Sequence, residues 1–286
     1  MKQAFFFEYD QKKNTVTCEL CPVKCLFDKE DKIGNCRVYV RKNNKLWSTT
    51  YGKISAAALD PVEKKPLYHF NPGKKIFSVG SFGCNMHCSF CQNWVISQQG
   101  AVEHDEIPPT ELVKKALEIN NNIGIAYTYN EPFVWYEYVY DTASVAFDKG
   151  LKNVVVSNGM INEKPLKKLI PFIHAFNIDL KAFSQDFYKK NCSGNLECVK
   201  NTIKTIFVSG KHIEITNLVI PELNDNLDDF EKMCKWISEM SADIPLHISR
   251  YFPNYKMSKE RTSVELVEKL KNIAKNYLNY VYLGNV

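Results

Sequence analysis

Hydrophobic and polar residues follow two repeating patterns along this chain, one typical of buried strands and one typical of amphipathic helices. From Lys75 onward, short runs rich in Ile, Val and Phe alternate with helix-period segments. Strands are predicted at 75–80, 123–128, 153–157, 175–180, 213–220, 245–251 and 280–283, and helices at 110–120, 133–149, 163–173, 196–209, 227–241 and 262–278. Such alternation predicts an α/β fold whose parallel sheet curls into a barrel or part of one.

The first 74 residues lack this alternation. Residues 1–50 are irregular and rich in cysteine, and residues 51–74 are interrupted by Pro61 and Pro66. We therefore predict a metal-binding module at 1–50, a connector at 51–74 and a partial (β/α)6 TIM-like barrel at 75–286. In parallel α/β barrels ligands bind at the carboxyl ends of the strands, so those ends identify candidate site residues.

Composition narrows the functional class. The 286 residues are 45% hydrophobic and 24% charged, as in ordinary soluble proteins. The net charge of +5 comes from scattered lysine pairs, which gives no support to a nucleic-acid partner. The chain holds no apolar run of about 18 residues, so we expect no membrane span. Most of the ten cysteines fall in two tight, ligand-like clusters, which favours a reducing cytoplasm.

The loop after the first barrel strand carries the strongest chemical signal. Cys84, Cys88 and Cys91 follow C-x3-C-x2-C spacing, and Phe90 precedes the last cysteine. A cubane cluster normally takes four thiolates, so three leave one iron open to a non-protein ligand. We predict a catalytic [4Fe–4S] cluster here, and a structural zinc loop is the alternative.

The N-terminal module carries a second cysteine cluster, Cys18, Cys21, Cys25 and Cys36, at C-x2-C-x3-C-x10-C spacing. Four such thiolates can hold zinc or an auxiliary Fe–S cluster, and spacing does not choose between them. Unliganded thiols are a third interpretation. The remaining cysteines stand apart and are interpreted as buried or incidental thiols: Cys192, Cys198 and Cys234. A position of residues 192–194 near the substrate mouth is the alternative for Cys192.

Two strand ends carry polar residues in the middle of the predicted sheet. The second strand is followed by Asn130 and Glu131, an amide and a carboxylate that can bind an ammonium group. A glutamate that caps the next helix is the alternative. The third strand ends at Ser157 and Asn158, which also form an ordinary turn sequence.

Two later strands add charged candidates. Asp179 and Lys181 lie on one face of the fourth strand, where the pair can hold a carboxylate and a ribose. A surface ion pair is the alternative interpretation. His247 on the sixth strand can meet an adenine ring or the substrate, or it can be a structural histidine.

The chain resembles the radical SAM superfamily, whose signature is C-x3-C-x2-C with an aromatic residue before the third cysteine. Within it, the chain resembles the AmmeMemoRadiSam-system enzymes, long labelled pyruvate formate-lyase activating enzyme homologues. Besides the N-terminal cysteines, the resemblance rests on Asp60–Phe70, Cys84–Trp94, Thr128–Pro132, Pro245–Met257 and Tyr280–Val286.

Three positions depart from the family pattern. Tyr129 and Asn130 stand where the usual Gly-Gly-Glu-Pro motif has its two glycines. Val156 replaces the acid of the Asp-Thr-Asn-Gly sequence of glycyl-radical activating enzymes. Lys24 stands where many relatives have a histidine, so an extra histidine ligand is not expected there.

The resemblance implies a mechanism. A reduced [4Fe–4S] cluster binds S-adenosylmethionine (SAM) through its amino and carboxylate groups and cleaves it to methionine and a 5′-deoxyadenosyl radical, which abstracts hydrogen from a substrate. The implied SAM contacts are Phe90, Asn130, Glu131, Ser157, Asn158, Asp179, Lys181 and His247. The implied electron donor is a flavodoxin or ferredoxin, and a protein substrate or a Memo- or AMME-type partner is compatible with the family.

Two other functions are considered. A glycyl-radical activase would use the same radical on the backbone glycine of a partner enzyme. A non-catalytic iron–sulfur or zinc protein would need a fourth protein ligand beside the cluster loop, and the nearest downstream cysteine is Cys192.

Overall fold

The structure is a computed structural model that describes residues 1–100 and 102–286. Its N-terminal part consists of short antiparallel strands: β1 (Lys2–Gln3), β2 (Phe7–Asp10), β3 (Thr15–Cys18), β4 (Leu26–Phe27), β5 (Tyr39–Lys42), β6 (Lys45–Ser48) and β7 (Lys53–Ile54). They form two three-stranded sheets, ordered β1–β6–β5 and β2–β3–β4. Of the cysteines in the predicted metal-binding module, Cys18 ends β3, Cys21 and Cys25 lie between β3 and β4, and Cys36 precedes β5.

The remaining strands are β8 (Ala56–Pro61), β9 (Lys75–Gly80), β10 (Asp105–Glu106), β11 (Asn122–Tyr127), β12 (Lys152–Ser157), β13 (Ala175–Asp179), β14 (His212–Val219), β15 (Leu246–Arg250) and β16 (Val281–Gly284). All except β10, which pairs with β7, form one eight-stranded sheet in the order β16–β15–β14–β13–β12–β11–β9–β8. The strands from β9 to β16 run parallel, and β8 joins the edge antiparallel to β9. The fold is therefore a mixed α/β fold with a central parallel sheet.

The α-helices are α1 (Trp94–Gln98), α2 (Pro109–Glu118), α3 (Tyr136–Asp148), α4 (Glu163–Leu169), α5 (Gln185–Phe187), α6 (Leu196–Val208), α7 (Leu227–Ser238) and α8 (Val264–Ala274). Short 3-10 turns lie at Val62–Lys64, Pro132–Trp135 and Ile170–Phe172, and one π-helical turn lies at Tyr188–Cys192. The predicted barrel strands and helices are confirmed, with ends that differ by a few residues. Within the described residues, no helix has the length and hydrophobicity needed to cross a membrane.

The predicted connector takes part in the barrel. Its residues 56–61 form β8, and the segment after β8 crosses under the sheet to the opposite edge. There Nε2 of His69 lies 2.6 Å from the hydroxyl of Tyr282 on β16, and the ring of Tyr68 packs on the same tyrosine. The connector therefore joins β8 at one edge of the sheet to β16 at the other edge. This requires the sheet to curl, and the connector closes one end of the resulting barrel.

The closed end lies at the amino ends of the strands. Val62 and Leu67 of the connector pack in a small separate core with Ile76, Ala126 and Val154, one residue from each of three adjacent strands. The alternate residues on these strands face outward and pack in the main core under the helices. The barrel interior is therefore filled by the connector at this end and remains open at the carboxyl ends.

A buried carboxylate lies at the closed end. Glu214 accepts hydrogen bonds from the backbone N–H groups of Tyr68 at 3.0 Å and His69 at 2.8 Å. Its oxygens also lie 2.9 Å from Nε2 of His212 and 2.6 Å from Nε2 of His247. Burial alone would raise the pKa of Glu214, but these four contacts lower that pKa to about 2. We call these five residues the floor of the barrel.

Candidate functional site

A cavity of about 280 Å³ opens at the carboxyl ends of the barrel strands. Three of its lining residues are the cysteines of the loop after β9: Cys84, Cys88 and Cys91. The other predicted site residues that line it are Phe90, Asn130, Glu131, Ser157, Asn158, Asp179 and Lys181. Parallel strands end at the same edge of the sheet, and this brings side chains from distant parts of the sequence together. We call this cavity the mouth of the barrel.

His247 is the one predicted SAM contact that lies elsewhere. It is almost fully buried on the floor, where it bonds to Glu214 and stacks on Tyr282. Ser249, two residues later on the same face of β15, does line the mouth. A step of two residues moves a side chain about 7 Å along a strand. His247 therefore lies about 7 Å deeper in the barrel than Ser249, too far from the mouth to line it. The structure therefore supports the structural alternative for this histidine.

The glutamate of the mouth is held by three hydrogen bonds. One oxygen of Glu131 accepts from the backbone N–H of Phe133 at 2.9 Å and from the hydroxyl of Ser157 at 2.7 Å. The other oxygen accepts from the backbone N–H of Asn158 at 2.8 Å. Burial raises the pKa of Glu131 to about 7 in spite of these donors. Glu131 is thus the cap of the turn at 132–135, and within residues 1–100 and 102–286 it forms an ion pair with no cationic side chain.

The two residues that replace the family's glycines have separate roles. Tyr129 has a φ of 72°, a backbone conformation that glycine adopts without strain. Its hydroxyl donates to Asp60 at 2.9 Å, and the ammonium of Lys65 lies 4.7 Å from its ring. The amide of Asn130 accepts from the N–H of Ser81 at 2.9 Å and donates to the carbonyl of Gly83 at 3.1 Å. Asn130 thereby fixes the entry of the cysteine loop.

The remaining polar side chains face the cysteines. The amide of Asn158 lies 3.5 Å from the sulfur of Cys84. Lys181 and Asp179 form an ion pair at 2.9 Å, with side chains that are 14% and 34% exposed. Burial would lower the pKa of Lys181, but Asp179 and the thiol of Cys88 raise it. The ammonium therefore stays charged in the mouth, and the surface ion pair proposed as an alternative is not what the structure shows.

A fourth cysteine lies beside the cluster loop. The backbone N–H of His87 donates to the carbonyl of Cys192 at 2.8 Å, and that of Ser89 donates to Asn191 at 3.0 Å. These bonds bring the thiol of Cys192 into hydrogen-bond contact with that of Cys88, which lowers the pKa of Cys88 despite burial. Cys192 is buried, as predicted, and it lies beside the cluster loop, which supports the alternative that placed residues 192–194 near the mouth.

The residues of the mouth fit an iron–sulfur cluster and a charged ligand. Three thiols lie at one side of a cavity large enough for several atoms, and an ammonium, a carboxylate and amides line the other side. No group of three or more His, Cys, Asp or Glu side chains within 1–100 and 102–286 converges as metal ligands do. Ligation at this site therefore requires rotation of the cysteine side chains about their Cα–Cβ bonds.

The family profile described as the Radical SAM superfamily matches residues 78–237, more than half of the chain. The chain belongs to the Radical SAM superfamily. Members of this superfamily are enzymes, and membership implies a [4Fe–4S] cluster and SAM. The matched residues run from β9 through α7 and include the three cysteines at the mouth.

Similar proteins extend this result. An uncharacterized protein of Methanocaldococcus jannaschii is 41% identical over 100% of this chain and 86% of its own length. The 7-carboxy-7-deazaguanine synthase of the same organism is 24% identical over 68% of this chain and 84% of its own length. A radical SAM methyltransferase from Sphaerobacter thermophilus shares the fold, with a TM-score of 0.58 and 14% identity over 97% of this chain and 75% of that one.

Proposed function

We propose that the protein cleaves SAM reductively at a [4Fe–4S] cluster held by Cys84, Cys88 and Cys91. The observation that carries the proposal is the shared cavity, in which three thiols meet Glu131 and Lys181 at the carboxyl end of a parallel sheet. When bound, the two cofactors supply a 5′-deoxyadenosyl radical for hydrogen abstraction. The chain supplies the ligands, the orientation of SAM and the exclusion of water.

The side chains of the mouth have complementary tasks toward SAM. The ammonium of Lys181 suits the methionine carboxylate, and Asp179 beside it suits a ribose hydroxyl. The carboxylate of Glu131 is buried and lacks a cation, so it suits the methionine ammonium. Asn158 reaches from Glu131 to the sulfur of Cys84 and sets their relative positions.

The finer assignment follows the sequence resemblance. We assign the protein to the AmmeMemoRadiSam type of radical SAM enzyme, as a cytoplasmic oxidoreductase that receives its electron from a flavodoxin or ferredoxin. The 41% identity that runs through the N-terminal module supports a function that uses the whole chain. Activation of a glycyl-radical enzyme is the alternative reaction, with a protein glycine in place of another substrate or a Memo- or AMME-type partner.

The contact between Cys88 and Cys192 favours one other candidate, a non-catalytic iron–sulfur protein. With Cys192 as a fourth ligand, the cluster would have no open iron for SAM. The two candidates differ in one observable. SAM changes the EPR spectrum of the reduced cluster only when an iron is open to it.

The test uses protein purified and reconstituted without oxygen. With dithionite and SAM, we expect 5′-deoxyadenosine from the wild type and none from Cys88→Ala. Cys234→Ala removes a buried thiol of α7 that does not line the mouth, so it should retain the activity. The opposite result is a wild-type protein with a complete cluster whose EPR spectrum does not change when SAM is added, together with a Cys192→Ala variant whose spectrum does change. That result would establish the non-catalytic candidate.

A further inference from the structure

The four N-terminal cysteines share one pocket, although Cys18 ends β3, Cys21 and Cys25 lie between β3 and β4, and Cys36 lies between β4 and β5. Cys18, Cys21, Cys25 and Cys36 all line it, and the sulfurs lie apart from the mouth. The rest of the wall is mainly apolar and includes Leu20, Val23, Phe27, Tyr39 and Val134. The structure therefore gathers the four thiols in mainly apolar surroundings.

The sulfur of Cys25 accepts a hydrogen bond from the backbone. It lies 3.3 Å from the backbone nitrogen of Asn35, which donates to it. A donated N–H bond suits a thiolate, the form in which cysteine binds a cation.

Cys198 shows the opposite pattern and serves as an internal comparison. Its sulfur donates to the carbonyl oxygen of Ile161 at 3.3 Å, as a neutral thiol does. Cys198 does not line the pocket of the four cysteines.

The size of the pocket distinguishes a single ion from a cluster. Its free volume is about 10 Å³, against about 280 Å³ at the mouth. A volume of about 10 Å³ holds one water-sized particle. A cubane core has eight iron and sulfur atoms and exceeds this volume. A single zinc ion, held by Zn–S bonds of about 2.3 Å, is of the right size.

We propose that Cys18, Cys21, Cys25 and Cys36 form a mononuclear, tetrahedral zinc site that braces the cysteine loop of the mouth. Binding exchanges four thiol protons, which go to the solvent, for one Zn²⁺ ion, and no electron is transferred. The side chains must first rotate, since no three ligand-type side chains in the described residues yet converge on one point. The backbone already places them around one pocket.

The brace acts through three alternate residues of the cysteine loop. A Cβ on Gly83 would lie 2.5 Å from the carbonyl oxygen of Cys36, so the loop and the module pack backbone to backbone. The side chain of Asn85 belongs to the wall of the cysteine pocket, beside Cys21. The next alternate residue, His87, lies 3.0 Å from the amide oxygen of Asn35, whose backbone N–H bonds Cys25. Cys84 lies between these contacts, Cys88 directly follows the last of them, and both line the mouth.

The first experiment counts metals in the whole protein. Wild-type protein is reconstituted without oxygen in the presence of both Zn²⁺ and ferrous iron with sulfide, and metals are then measured by mass spectrometry. We expect one zinc per chain together with the iron of one cluster. The combined Cys84→Ala, Cys88→Ala and Cys91→Ala variant should keep the zinc and lose the iron, whether or not the wild type cleaves SAM.

The second experiment tests the ligands. Cys36→Ser should lose at least 90% of the zinc, while Cys198→Ser should keep all of it. Iron remaining in the triple variant, as a cluster or as a single ion, would overturn the proposal. So would a wild-type protein that binds no zinc. If Cys36→Ser fails to fold, the metal content of the wild type and of the triple variant still shows whether the N-terminal site binds zinc or iron, because neither protein is altered in the N-terminal pocket.

The brace has its own readout. Removal of zinc by a chelator should broaden the EPR signal of the reduced cluster at the mouth, because the loop loses its support. Asn85→Ala should give the same broadening with the zinc still bound. A sharp, unchanged signal after complete zinc removal would contradict the bracing role.

Discussion

Glu214 on the floor and Glu131 at the mouth are both buried carboxylates in the interior of one barrel. The floor carboxylate has four hydrogen-bond partners, two of them histidine side chains, and its pKa is lowered to about 2. The mouth carboxylate has three neutral donors, and burial raises its pKa to about 7. The comparison teaches that burial alone does not identify a functional carboxylate. A better sign is a buried carboxylate beside a cavity whose hydrogen-bond donors do not offset the cost of burying its charge.

The largest expected effect is at the floor. Glu214→Leu removes the acceptor of two backbone N–H groups and two imidazoles in a buried site. We expect the free energy of unfolding to fall by about 3–5 kcal/mol, as when one partner of a buried ion pair or network is removed. Urea denaturation measures it. A loss below about 1 kcal/mol would mean that the connector does not depend on this carboxylate.

The second prediction separates the two ends by pH. The folded pKa of Glu214 lies below the value of 4.5 for an unperturbed glutamate, so its stabilisation is complete above pH 4.5 and is lost as the pH falls toward 2. The shift from 4.5 to about 2 corresponds to about 3 kcal/mol. The difference in unfolding free energy between wild type and Glu214→Gln should therefore shrink with acidification through this range.

Glu131 should show the opposite dependence. Its folded pKa is raised from 4.5 to about 7, so the folded state favours the protonated form, and the contribution of Glu131 to stability declines as the pH rises from 4.5 to 7. The difference in unfolding free energy between wild type and Glu131→Gln, measured at a series of pH values, reports this decline. A difference that is constant from pH 4.5 to 8 would contradict the raised pKa.

The third prediction concerns ligand binding at the mouth. Glu131→Gln keeps an oxygen for Phe133 and Ser157 but removes the charge that faces the cavity. We expect SAM to bind about tenfold more weakly, since a charge-assisted hydrogen bond contributes about 1.5–3 kcal/mol. The free energy of unfolding at pH 8 should change by only about 1 kcal/mol. Calorimetric titration of SAM measures the affinity, and Glu214→Gln is the matched control, with affinity unchanged in its folded fraction.

Much of this comparison was accessible from the sequence, for identifiable physical reasons. Alternation of apolar residues predicts the barrel strands, and the convergence of parallel strand ends predicts that Glu131, Ser157 and Lys181 meet the cysteines. Alternation also places His247 on the interior face of its strand. It does not give the depth along the barrel, because that depends on the strand register, which sequence pattern leaves open.

Two other features depend on contacts between distant segments. The connector closes the floor only because the sheet curls until Tyr68 reaches β16. Cys192 meets Cys88 only because the π-helical turn at Tyr188–Cys192 packs on the cysteine loop. Neither the connector nor Cys192 lies in a periodic pattern of hydrophobic residues. The sequence alone therefore does not predict the contact that each makes with a distant segment.

The smallest expected effect tests the link between mouth and floor. Tyr129 lies at the mouth, but its hydroxyl donates a hydrogen bond to Asp60 and its ring contacts the ammonium of Lys65. Both partners belong to the connector, which continues to the floor. Tyr129→Phe removes only the hydrogen bond and should lower the free energy of unfolding by about 1 kcal/mol. Because the hydroxyl is committed to Asp60, we expect the affinity for SAM to stay within about twofold of wild type.

Tyr129→Gly separates the backbone from the side chain. Glycine relieves a left-handed strain of about 1 kcal/mol at φ 72° and restores the family's residue, but it loses the hydrogen bond and a cation–π contact of about 0.5–1 kcal/mol. These terms nearly cancel, so the unfolding free energy should differ from that of Tyr129→Phe by less than about 1 kcal/mol. Urea denaturation of both variants, with SAM titration of each, measures the difference. A large loss of SAM affinity in Tyr129→Gly alone would show that the ring itself contacts SAM. The mouth of this protein would then bind SAM through a side chain at the position where the family motif has a glycine.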